Sequence, residues 1–557
     1  MNTVNSFNDS SEKNFLRIAI AQINLLVGDI EGNADRILSW IEQARDEQHA
    51  DLIVFPELAL SGYPPEDLLL RSGLYERIDV ALKNLTSKVV GITALVGYPE
   101  KTEHGVFNAV AVLENSQHVM SVRKNYLPNY SVFDEKRYFI SAKTQPHTSS
   151  VFTVKNIKIG VCICEDIWHP EPVNRAVKAG AQLILNMNAS PFHSQKHNER
   201  EAIICQRIAE NNVPVVYANM VGGQDELVFD GQSFVVAADK KLSHRFSAFE
   251  EELSSIDFQM PSMKPVNSVI ADELSEEASI YQALVTGVRD YVKKNGFSGV
   301  VIGLSGGIDS ALTLSIAVDA LGAEQVEAVM MPSCYTLDMS VADAEEQAKT
   351  LGINFQIIPI EKPFNIFLEL LADEFAGKEV DATEENIQAR CRGLLLMAIS
   401  NKKRKMVLTT GNKSEMAVGY ATLYGDMAGG LDVLKDVKKT LVFRLAEYRN
   451  TLSVNIPQRV IDRPPSAELA PDQKDTDSLP PYDVLDDILE YYVEHDMGVE
   501  DIVSKGFDRE IVRKVLRLVD INEYKRRQAA PGIKITKRAF GRDRRYPITS
   551  GYGKSRN

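Results

Sequence analysis

An apolar run at 300–302 leads into a stretch of small and acidic residues, Gly303-Leu304-Ser305-Gly306-Gly307-Ile308-Asp309-Ser310, and a helix-like segment follows at 311–321. Small residues let backbone N–H groups approach an anion, and the N-terminus of the following helix adds partial positive charge. A Walker A loop would end in Gly-Lys-Ser or Gly-Lys-Thr, whereas here Asp309 supplies a carboxylate. The stretch therefore predicts a loop that holds pyrophosphate beside Mg²⁺, with a plain strand-to-helix turn as the alternative.

This loop belongs to a series of strand-like runs separated by helix-like segments, at 300–304, 325–331, 355–360 and 406–410. The alternation predicts a doubly wound parallel sheet, in which ligands bind beyond the carboxyl ends of the strands. The segments 303–310 and 409–415 both lie at such ends. An irregular segment at 457–481 is rich in Pro, Asp and Ser. Because long irregular segments are commonly lids or binding loops, we expect a lid here.

The first half of the chain has a similar rhythm of apolar runs, at 16–22, 50–55, 94–98, 109–113, 157–164, 183–186 and 213–219. Their continuous apolar character indicates strands buried on both faces, and helix-like segments separate many of them. An α/β sheet or sandwich is therefore the expected class. At 248–277 the rhythm gives way to a polar, proline-containing segment. The domains and connecting segments expected from these changes are 15–262, a linker at 263–275, 276–546 and a tail at 547–557.

The 557 residues include 62 Lys and Arg against 77 Asp and Glu, a formal net charge of -15. This acidic balance argues against a nucleic-acid or acidic-membrane partner. The basic segment 525–545 leaves a local anionic ligand open, with a solvated tail as the alternative. Five cysteines are an odd number without framework spacing, which favours a reducing compartment. Because the N-terminus lacks an apolar signal segment and no run reaches about 20 apolar residues, we expect a cytoplasmic protein.

Three residues of the first half end or follow strand-like runs, Glu57, Lys124 and Cys164. Taken singly, each has an ordinary interpretation, as a surface carboxylate, a solvated lysine and a core cysteine. Together they resemble the Glu-Lys-Cys triad of the nitrilase superfamily, which implies an αββα sandwich and hydrolysis of a C–N bond through a thioester. In that chemistry Glu57 would accept the proton of Cys164. Lys124 would stabilise the oxyanion and help to lower the pKa of the thiol.

Further strings resemble the glutaminase branch of this superfamily, at 56–68, 124–130 and 188–192. The resemblance implies that Glu135 is the family's second glutamate, which positions the lysine and the substrate. It also implies that Tyr130, Ser190 and Lys196 hold glutamine, with turn and surface positions as the alternative. We assign Cys162 to packing, because a C-x-C metal pair needs further ligands that we do not find in the sequence.

The stretch Ser305–Ser310 is the signature of N-type ATP pyrophosphatases, which adenylate a substrate oxygen and release pyrophosphate. That signature alone leaves several substrates open. Neighbouring strings closely resemble the NAD synthetase family, at 385–392, 409–415, 423–430, 464–469 and 472–483. The resemblance implies that ATP adenylates the carboxylate of deamido-NAD, and that ammonia from glutamine then displaces AMP to give NAD.

The same resemblance assigns roles to individual residues of the second half. Mg²⁺ would be bound by Asp309 and Glu415, with helix N-capping as the alternative role, which Asp309 could also fill. The implied substrate contacts are 303–310 and Thr410 for ATP, Asn386, Glu415 and Lys525 for deamido-NAD, and Lys439 for the adenylate. Lys438 is an equal competitor for the role of Lys439.

The resemblance also implies a synthetase domain that dimerises, so we expect at least a homodimer, and we expect no tightly bound organic cofactor.

Two alternative functions stay open at this point. One is an amidotransferase with another acceptor, such as a purine nucleotide, and the string at 385–392 argues against it. The other is a nucleotide-sensing regulatory protein with an inactive first half, and the intact triad argues against that.

Overall fold

The structure is a computed structural model that describes residues 14–144, 149–471, 473 and 479–552. The chain divides into two compact units between Leu274 and Ser275, and Asp225–Val228 group with the second unit. Within the described ranges, no helix is both long enough and apolar enough to cross a membrane. The terminal segments 1–13 and 553–557, to which the sequence assigned no role, lie outside the described residues.

The first unit contains two seven-stranded sheets. In spatial order, the first sheet consists of β15 (Lys264–Pro265), β14 (Glu252–Gln259), β1 (Phe15–Gln22), β2 (Leu52–Val54), β3 (Thr93–Thr102), β4 (Gly105–Glu114) and β5 (Gln117–Arg123). The second sheet consists of β16 (Val269–Ile270), β13 (Leu242–Arg245), β12 (Phe234–Val236), β9 (Val215–Asn219), β8 (Leu183–Asn188), β7 (Ile157–Ile163) and β6 (Val151–Val154). A separate pair is formed by β10 (Val221–Gln224) and β11 (Leu227–Asp230).

The helices of this unit are α1 (Ile30–Asp46), α2 (Ser72–Lys88), α3 (Pro170–Lys178) and α4 (Lys196–Asn211). Short 3-10 helices occur at Glu66–Leu70, Glu135–Arg137, Ala142–Thr144 and Cys164–Trp168. One apolar core joins the two sheets face to face and includes Ile18 and Leu52 from the first sheet and Ile159 and Leu185 from the second. Helices α3 and α4 pack on the second sheet, and α1 and α2 pack on the first. The predicted αββα sandwich is confirmed.

The segment 263–275, which the sequence led us to expect as a linker, contains two short strands. β15 pairs antiparallel with β14, and β16 pairs parallel with β13. Each of these strands lies at the edge of its sheet, where a proline such as Pro265 removes no ladder hydrogen bond from the interior. The polar and proline-containing composition of this segment is therefore compatible with edge strands as well as with a linker.

The second unit contains a five-stranded sheet in the order β19 (Asn354–Ile357), β18 (Val326–Met330), β17 (Val300–Gly303), β20 (Met406–Thr409) and β21 (Leu431–Asp432). All of its pairings are parallel. The strand order reverses between β17 and β20, and ligands of doubly wound sheets bind at the carboxyl ends of the strands at such a point. The predicted doubly wound parallel sheet is confirmed.

The α-helices of the second unit are α5 (Glu276–Lys294), α6 (Ile308–Leu321), α7 (Asp338–Leu351), α8 (Glu361–Leu370), α9 (Ala372–Phe375), α10 (Ala382–Lys403), α11 (Lys413–Val418), α12 (Lys439–Leu452), α13 (Gln458–Asp462), α14 (Tyr482–Leu489), α15 (Val499–Val503), α16 (Arg509–Ile521) and α17 (Glu523–Arg526). A 3-10 helix occurs at Ala323–Gln325 and a π-helical turn at Glu490–Glu494. An apolar cluster joins α11, α14, α15 and α16 beside the sheet.

The backbone that carries Glu57 lies against β3. Leu60 N donates to Gly97 O at 2.9 Å. A Cβ atom at Gly97 would lie 2.4 Å from the backbone nitrogen of Leu58, a distance that real Cβ atoms essentially never show. Because Gly97 has no side chain, the segment after β2 can approach β3 this closely, and Glu57 takes its position from that approach.

Replacing Gly97 with alanine therefore tests how Glu57 is positioned. We expect Gly97→Ala to lower stability by about 1–3 kcal/mol, because an extra methyl group in a packed site displaces its neighbours. Thermal unfolding of the full chain measures this. The matched control is Gly73→Ala in α2, where an added Cβ atom meets nothing within 4 Å. An unfolding midpoint for Gly97→Ala equal to that of the control would contradict the packing argument.

Candidate active sites of the two units

Lys124 lies at the centre of the site in the first unit. Its side chain is completely buried, and its Nζ donates to Glu57 Oε1 at 2.6 Å and to Glu135 Oε1 at 2.8 Å. Glu57 also accepts from Asn108 Nδ2 at 2.7 Å and from the backbone nitrogen of Ala189 at 3.1 Å. Burial lowers the pKa of Lys124, but Glu135 and Glu57 together raise that pKa well above its usual value. The ammonium group therefore keeps its charge although it is buried.

Glu135 is the second carboxylate that contacts Lys124. Its Oε1 also accepts from the hydroxyl of Tyr63 at 3.1 Å. Burial raises the pKa of Glu135 to about 7, although the charge of Lys124 acts in the opposite direction. The other carboxylate oxygen, Oε2, is buried and has no hydrogen-bond partner among the described residues. Glu135 thus offers an unused acceptor beside Lys124.

Cys164 directly follows β7 and begins the 3-10 helix Cys164–Trp168. Its φ of 43° lies in the left-handed region, which is strained for a residue with a side chain and is often found at functional positions. Burial and the charge of Glu57 raise the pKa of the thiol well above its usual value, whereas Lys124 lowers it. The expected effect of Lys124 on the pKa is therefore present but outweighed. At rest Cys164 is a neutral thiol that needs a base.

Tyr130 and Lys196, two of the residues expected to hold glutamine, flank the 3-10 helix that Cys164 begins. Tyr130 is 57% exposed, and its hydroxyl donates to Glu165 Oε2 at 2.9 Å. Lys196 Nζ lies 4.6 Å from the centre of the Trp168 ring. Both side chains therefore lie at the rim of the site, next to the residues that follow the thiol in the sequence.

Ser190, the third of these residues, is buried and is held by a network that the sequence did not reveal. Arg200 donates to Ser190 O at 2.8 Å and forms a buried ion pair with Asp230 at 2.8 Å. The preceding residue, Ala189, is the one whose N–H binds Glu57. The buried pair therefore fixes a segment that contacts the carboxylate of the triad.

Sequence reasoning missed Asn108 and Arg200. A signal for Asn108 is available, since it is a lone polar residue within the apolar run 106–113. No comparable signal exists for Arg200, because it lies among the charged residues that begin α4 and its burial depends on tertiary packing. The assignment of Cys162 to packing is confirmed, because this side chain is fully buried in the apolar cluster below α3 and α4.

In the second unit, the loop between β17 and α6 is held by its own serines. Ser305 N donates to Ser310 Oγ at 3.2 Å, and Gly307 N donates to Ser305 Oγ at 3.2 Å. Gly306 has a φ of 79°, and a Cβ atom there would lie 2.2 Å from the carbonyl oxygen of Ser340. Because α6 begins at Ile308, the N–H groups of its first turn point towards this loop. This geometry suits the binding of an anion.

A cluster of charged side chains lies next to the loop. Lys439 is buried, and its Nζ donates to Asp309 Oδ2 at 2.5 Å and to Glu415 Oε1 at 3.2 Å. Asn412 joins the two acidic residues, since its Nδ2 donates to Asp309 Oδ1 at 2.9 Å and its Oδ1 accepts from Glu415 N at 3.0 Å. The structure thus brings together the two residues expected to bind Mg²⁺ and the lysine expected to contact the adenylate.

The two competing lysines have different surroundings. Lys438 is the residue before α12, and its Nζ donates to Glu490 Oε2 at 2.5 Å. Its side chain is 21% exposed, compared with 2% for Lys439. Only Lys439, of these two, contacts Asp309. The geometry therefore favours Lys439 for the role that the sequence left open.

Asp309 and Glu415 also fit a magnesium ion. Among the described residues, no group of three or more His, Cys, Asp or Glu side chains could hold a metal ion. Mg²⁺, however, is commonly held by one or two carboxylates together with substrate phosphates. Both carboxylates already share a cationic partner, Lys439 Nζ. The donor set therefore suits a metal that arrives with a phosphate group.

Asn386 and Lys525, two of the residues expected to bind deamido-NAD, contact one loop that follows α11. Asn386 Oδ1 accepts from Thr422 Oγ1 at 2.7 Å. Lys525 Nζ donates to Gly419 O at 2.8 Å and to Ala421 O at 2.9 Å. The loop therefore joins α10 to α17, although these helices are far apart in the sequence.

Thr410, expected to contact ATP, directly follows β20. It is half-buried at the carboxyl end of the sheet, where β17 and β20 are neighbours. Thr410 and the loop at 303–310 therefore lie at the ends of adjacent strands.

Part of the expected lid contacts the loop at 303–310. Arg463 donates to Gly306 O and, at 3.0 Å, to Ser340 Oγ. Glu468 Oε1 accepts from the same Ser340 hydroxyl at 2.6 Å. The remaining portion of the string at 472–483 is only partly described, because residues 472 and 474–478 lie outside the described ranges.

The basic segment near the C-terminus is engaged in internal ion pairs. Lys534 pairs with Asp543 at 3.0 Å, and Arg544 pairs with Glu523 at 2.7 Å. Arg526 binds the same Glu523 at 2.9 Å, and all three cationic side chains are buried. The alternative of a solvated tail is therefore wrong for these three residues, since they are buried and paired with Asp543 and Glu523 within the unit.

The folds and sites define a chain that joins a carbon-nitrogen hydrolase to an adenylating synthase. The carbon-nitrogen hydrolase family model matches residues 17–267, and the NAD synthase family model matches residues 280–529. Similar proteins are known over nearly the whole length. The glutamine-dependent NAD(+) synthetase of Xylella fastidiosa (strain 9a5c) is 51% identical over 97% of this chain and 99% of its own. That of Thermotoga maritima is 46% identical over 96% of this chain and 99% of its own.

A solved structure is also similar to this chain over nearly its full length. The glutamine-dependent NAD+ synthetase from Acinetobacter baumannii, in complex with adenosine diphosphate, is 47% identical, with a TM-score of 0.78. The match covers 97% of this chain and 99% of that one. The chain belongs to the family of glutamine-dependent NAD(+) synthetases, and the predicted family is confirmed.

Proposed function

We propose that the chain makes NAD(+) from deamido-NAD, ATP and glutamine, and releases AMP, pyrophosphate and glutamate. The first unit hydrolyses glutamine, and the second unit consumes the ammonia. The observation that carries the proposal is the buried ammonium of Lys124 between Glu57 and Glu135, beside the strained thiol of Cys164. Similarity to NAD(+) synthetases over nearly the full length argues against a purine-nucleotide acceptor and against a purely regulatory protein.

Glutamine hydrolysis begins with proton transfer from the thiol of Cys164 to the carboxylate of Glu57. The raised pKa of the thiol makes this base necessary. Sulfur then attacks the side-chain amide carbon, and the oxyanion that forms is stabilised by the ammonium of Lys124. When the tetrahedral intermediate collapses, the C–N bond breaks, nitrogen takes the proton from Glu57, and ammonia leaves a thioester on Cys164.

Water completes the cycle. Glu57 accepts a proton from water, whose oxygen attacks the thioester carbon, and the second oxyanion again meets Lys124. Breaking the C–S bond returns the proton to sulfur and releases glutamate. One carboxylate thus serves both halves of the reaction, which is why Glu57 is held by Lys124, Asn108 and the backbone of Ala189.

Glutamine is held, in this proposal, by Glu135, Tyr130, Ser190 and Lys196. The buried Oε2 atom of Glu135 has no partner among the described residues and would accept a hydrogen bond from the substrate amide. Tyr130 and Lys196 flank the helix of Cys164 and would contact the polar end of glutamine. Ser190 lies next to the residue whose N–H binds Glu57.

ATP binds, in this proposal, at the loop 303–310 with Thr410 nearby. Backbone N–H groups of the loop and of the first turn of α6 would bind the pyrophosphate portion. Asn386, Glu415 and Lys525 would hold deamido-NAD so that its carboxylate can attack the α-phosphorus of ATP. Pyrophosphate then leaves, and the carboxylate becomes an adenylate.

Mg²⁺ would be held by Asp309 and Glu415 together with phosphate oxygens. When bound, it supplies positive charge that offsets the charge of the phosphates. Lys439 would contact the adenylate from its place between these two carboxylates. Ammonia then attacks the carbonyl carbon of the adenylate, the C–O bond to AMP breaks, and the nitrogen loses a proton to give the amide. Ammonium has no lone pair, so a supply of neutral ammonia from the first unit is chemically useful.

We also propose a homodimer formed through the second unit. Helices α8 and α10 pack against each other and expose large apolar side chains, Ile366, Leu370, Leu394 and Met397. Residues three or four apart on a helix lie on one face, so each helix presents an apolar face to solvent in the single chain.

A cytoplasmic location is part of the proposal, and the five free cysteines support a reducing compartment.

Removing the nucleophile separates the two activities. We expect Cys164→Ala to lower glutamine-dependent NAD(+) synthesis by at least about 10³-fold, because no other group can form the thioester. Synthesis from added ammonium should stay at the level of the unchanged protein. Both rates are measured with ATP, Mg²⁺ and deamido-NAD, by following NAD(+) and AMP.

Cys162→Ala is the matched control, because Cys162 lies two positions away and serves only packing. It should retain both activities. Loss of both activities in Cys164→Ala, or retention of both, would contradict the two-site proposal.

The lysine of the second site can be identified in the same assay. We expect Lys439→Met to lower NAD(+) synthesis from either nitrogen source by about 10²–10³-fold, since a cation that contacts the reacting phosphate is lost. Lys438→Met should have little effect, because its partner is Glu490. Thermal unfolding of the full chain reports whether the second unit of Lys439→Met is folded. A larger loss in Lys438→Met than in Lys439→Met would reverse the assignment.

A further inference from the structure

Asp166 lies two residues after Cys164, in the same 3-10 helix, and it is almost completely buried. It touches none of the three triad side chains through a hydrogen bond. Its carboxylate nevertheless connects two parts of the site that are far apart in the sequence. These contacts give a buried carboxylate a role that the mechanism above does not include.

On one side, Asp166 binds the residues that follow Lys124. Its Oδ1 accepts from the backbone nitrogens of Asn125 at 3.0 Å and of Tyr126 at 2.9 Å. Its Oδ2 accepts from Asn125 Nδ2 at 3.2 Å. Because Asn125 is bonded to Lys124 in the chain, these contacts restrict the backbone that carries the ammonium.

On the other side, Asp166 binds the residue that precedes Cys164. Its Oδ2 accepts from the backbone nitrogen of Ile163 at 3.3 Å. Ile163 is the last residue of β7, and Cys164 follows with a φ of 43°. A strained residue of this kind persists when the surrounding contacts determine its conformation. The bond to Ile163 is one of those contacts.

The two backbone segments that Asp166 connects belong to different sheets. Lys124 follows β5 of the first sheet, and Cys164 follows β7 of the second sheet. No covalent connection close to the site fixes the end of one strand against the end of the other. A carboxylate with hydrogen bonds to both ends supplies such a connection.

We propose that Asp166 is a positioning residue that sets the placement of Lys124 relative to Cys164 in glutamine hydrolysis. The inference rests on the proposed function of the first unit. Asp166 acts through the backbone at Asn125 and Ile163 and does not itself touch the substrate.

The chemistry of the four contacts explains why an aspartate is needed. Each partner is an N–H group that donates, so all four contacts require an acceptor, and an ionised carboxylate has only acceptors. Burial raises the pKa of Asp166 above its usual value, although hydrogen bonds from Tyr126 and Asn125 act in the opposite direction. An amide at this position would turn an NH₂ group towards at least one of the donors.

Asp166→Asn therefore tests the proposal with almost no change in shape. We expect kcat for glutamine-dependent synthesis to fall by about 10²-fold, because small displacements of catalytic groups have effects of this size. KM for glutamine should change little, and synthesis from ammonium should be unaffected. All rates are measured on the full chain, well below the unfolding midpoint of each variant.

The matched control is Asp51→Asn. Asp51 also accepts a backbone N–H across the chain, from Arg17 at 2.9 Å, and pairs with Lys155 at 2.6 Å, but it lies outside the site. Asp51→Asn should have the same kcat as the unchanged protein. A lower unfolding midpoint for Asp166→Asn with an unchanged kcat would overturn the proposal, because it would show a role in stability alone.

Asn125→Ala provides a second variant in case Asp166→Asn does not fold. It removes the side-chain hydrogen bond to Asp166 and the one that Asn125 Oδ1 accepts from Arg175 at 2.7 Å, and it leaves the backbone donors in place. We therefore expect a smaller fall in kcat, about tenfold. An unchanged kcat in this variant would also overturn the proposal. Failure of the unchanged protein to use glutamine would instead refute the proposed function, so the two failures are distinguishable.

Discussion

The contact of Lys124 with Glu57 and Glu135 is the interaction on which the first unit depends. A buried ammonium is costly unless its partners are well placed and their remaining acceptors are satisfied. The two carboxylates come from different segments of the chain, after β2 and after β5, so their convergence on one nitrogen requires the first sheet to be assembled. Asn108 and Ala189 also donate to Glu57, one to each of its oxygens. The fold and the site are thus specified by the same contacts.

The second unit repeats this arrangement with other residues. Lys439 lies between Asp309 and Glu415. In each unit, therefore, one ammonium group contacts two carboxylates. If both carboxylates are ionised, each cluster has one surplus negative charge. In the first unit, burial raises the pKa of Glu135 to about 7, although the charge of Lys124 acts in the opposite direction. In the second unit, a surplus negative charge is compatible with the proposed binding of Mg²⁺ together with a phosphate group. In the proposal, similar groups of side chains therefore have different tasks in the two units.

Because apolar runs of strand length alternate with helix-like segments, the sequence predicted an α/β class for the first unit and a doubly wound parallel sheet for the second. The αββα sandwich was implied by the resemblance of the triad to the nitrilase superfamily. The sequence also brought Glu57, Lys124 and Cys164 together through their motifs. It could not choose between Lys438 and Lys439, since the choice depends on which side chain packs inward at the start of α12. Nor could it give the direction of the pKa shift at Cys164, because burial decides that shift and is a property of the packed structure.

Long-range hydrogen bonds explain most of what the sequence left out. Asn108 meets Glu57 across two strands, and Arg200 meets Ser190 and Asp230 from a helix that looks solvent-exposed in sequence. If the two units act together as proposed, nitrogen released at Cys164 is the nitrogen that enters NAD(+). Glutamine labelled with ¹⁵N in its side-chain amide is supplied together with unlabelled ammonium, ATP, Mg²⁺ and deamido-NAD, and the mass of the NAD(+) formed is measured. We expect NAD(+) that carries mainly ¹⁵N, whereas NAD(+) that carries only unlabelled nitrogen would refute the coupling of the two units.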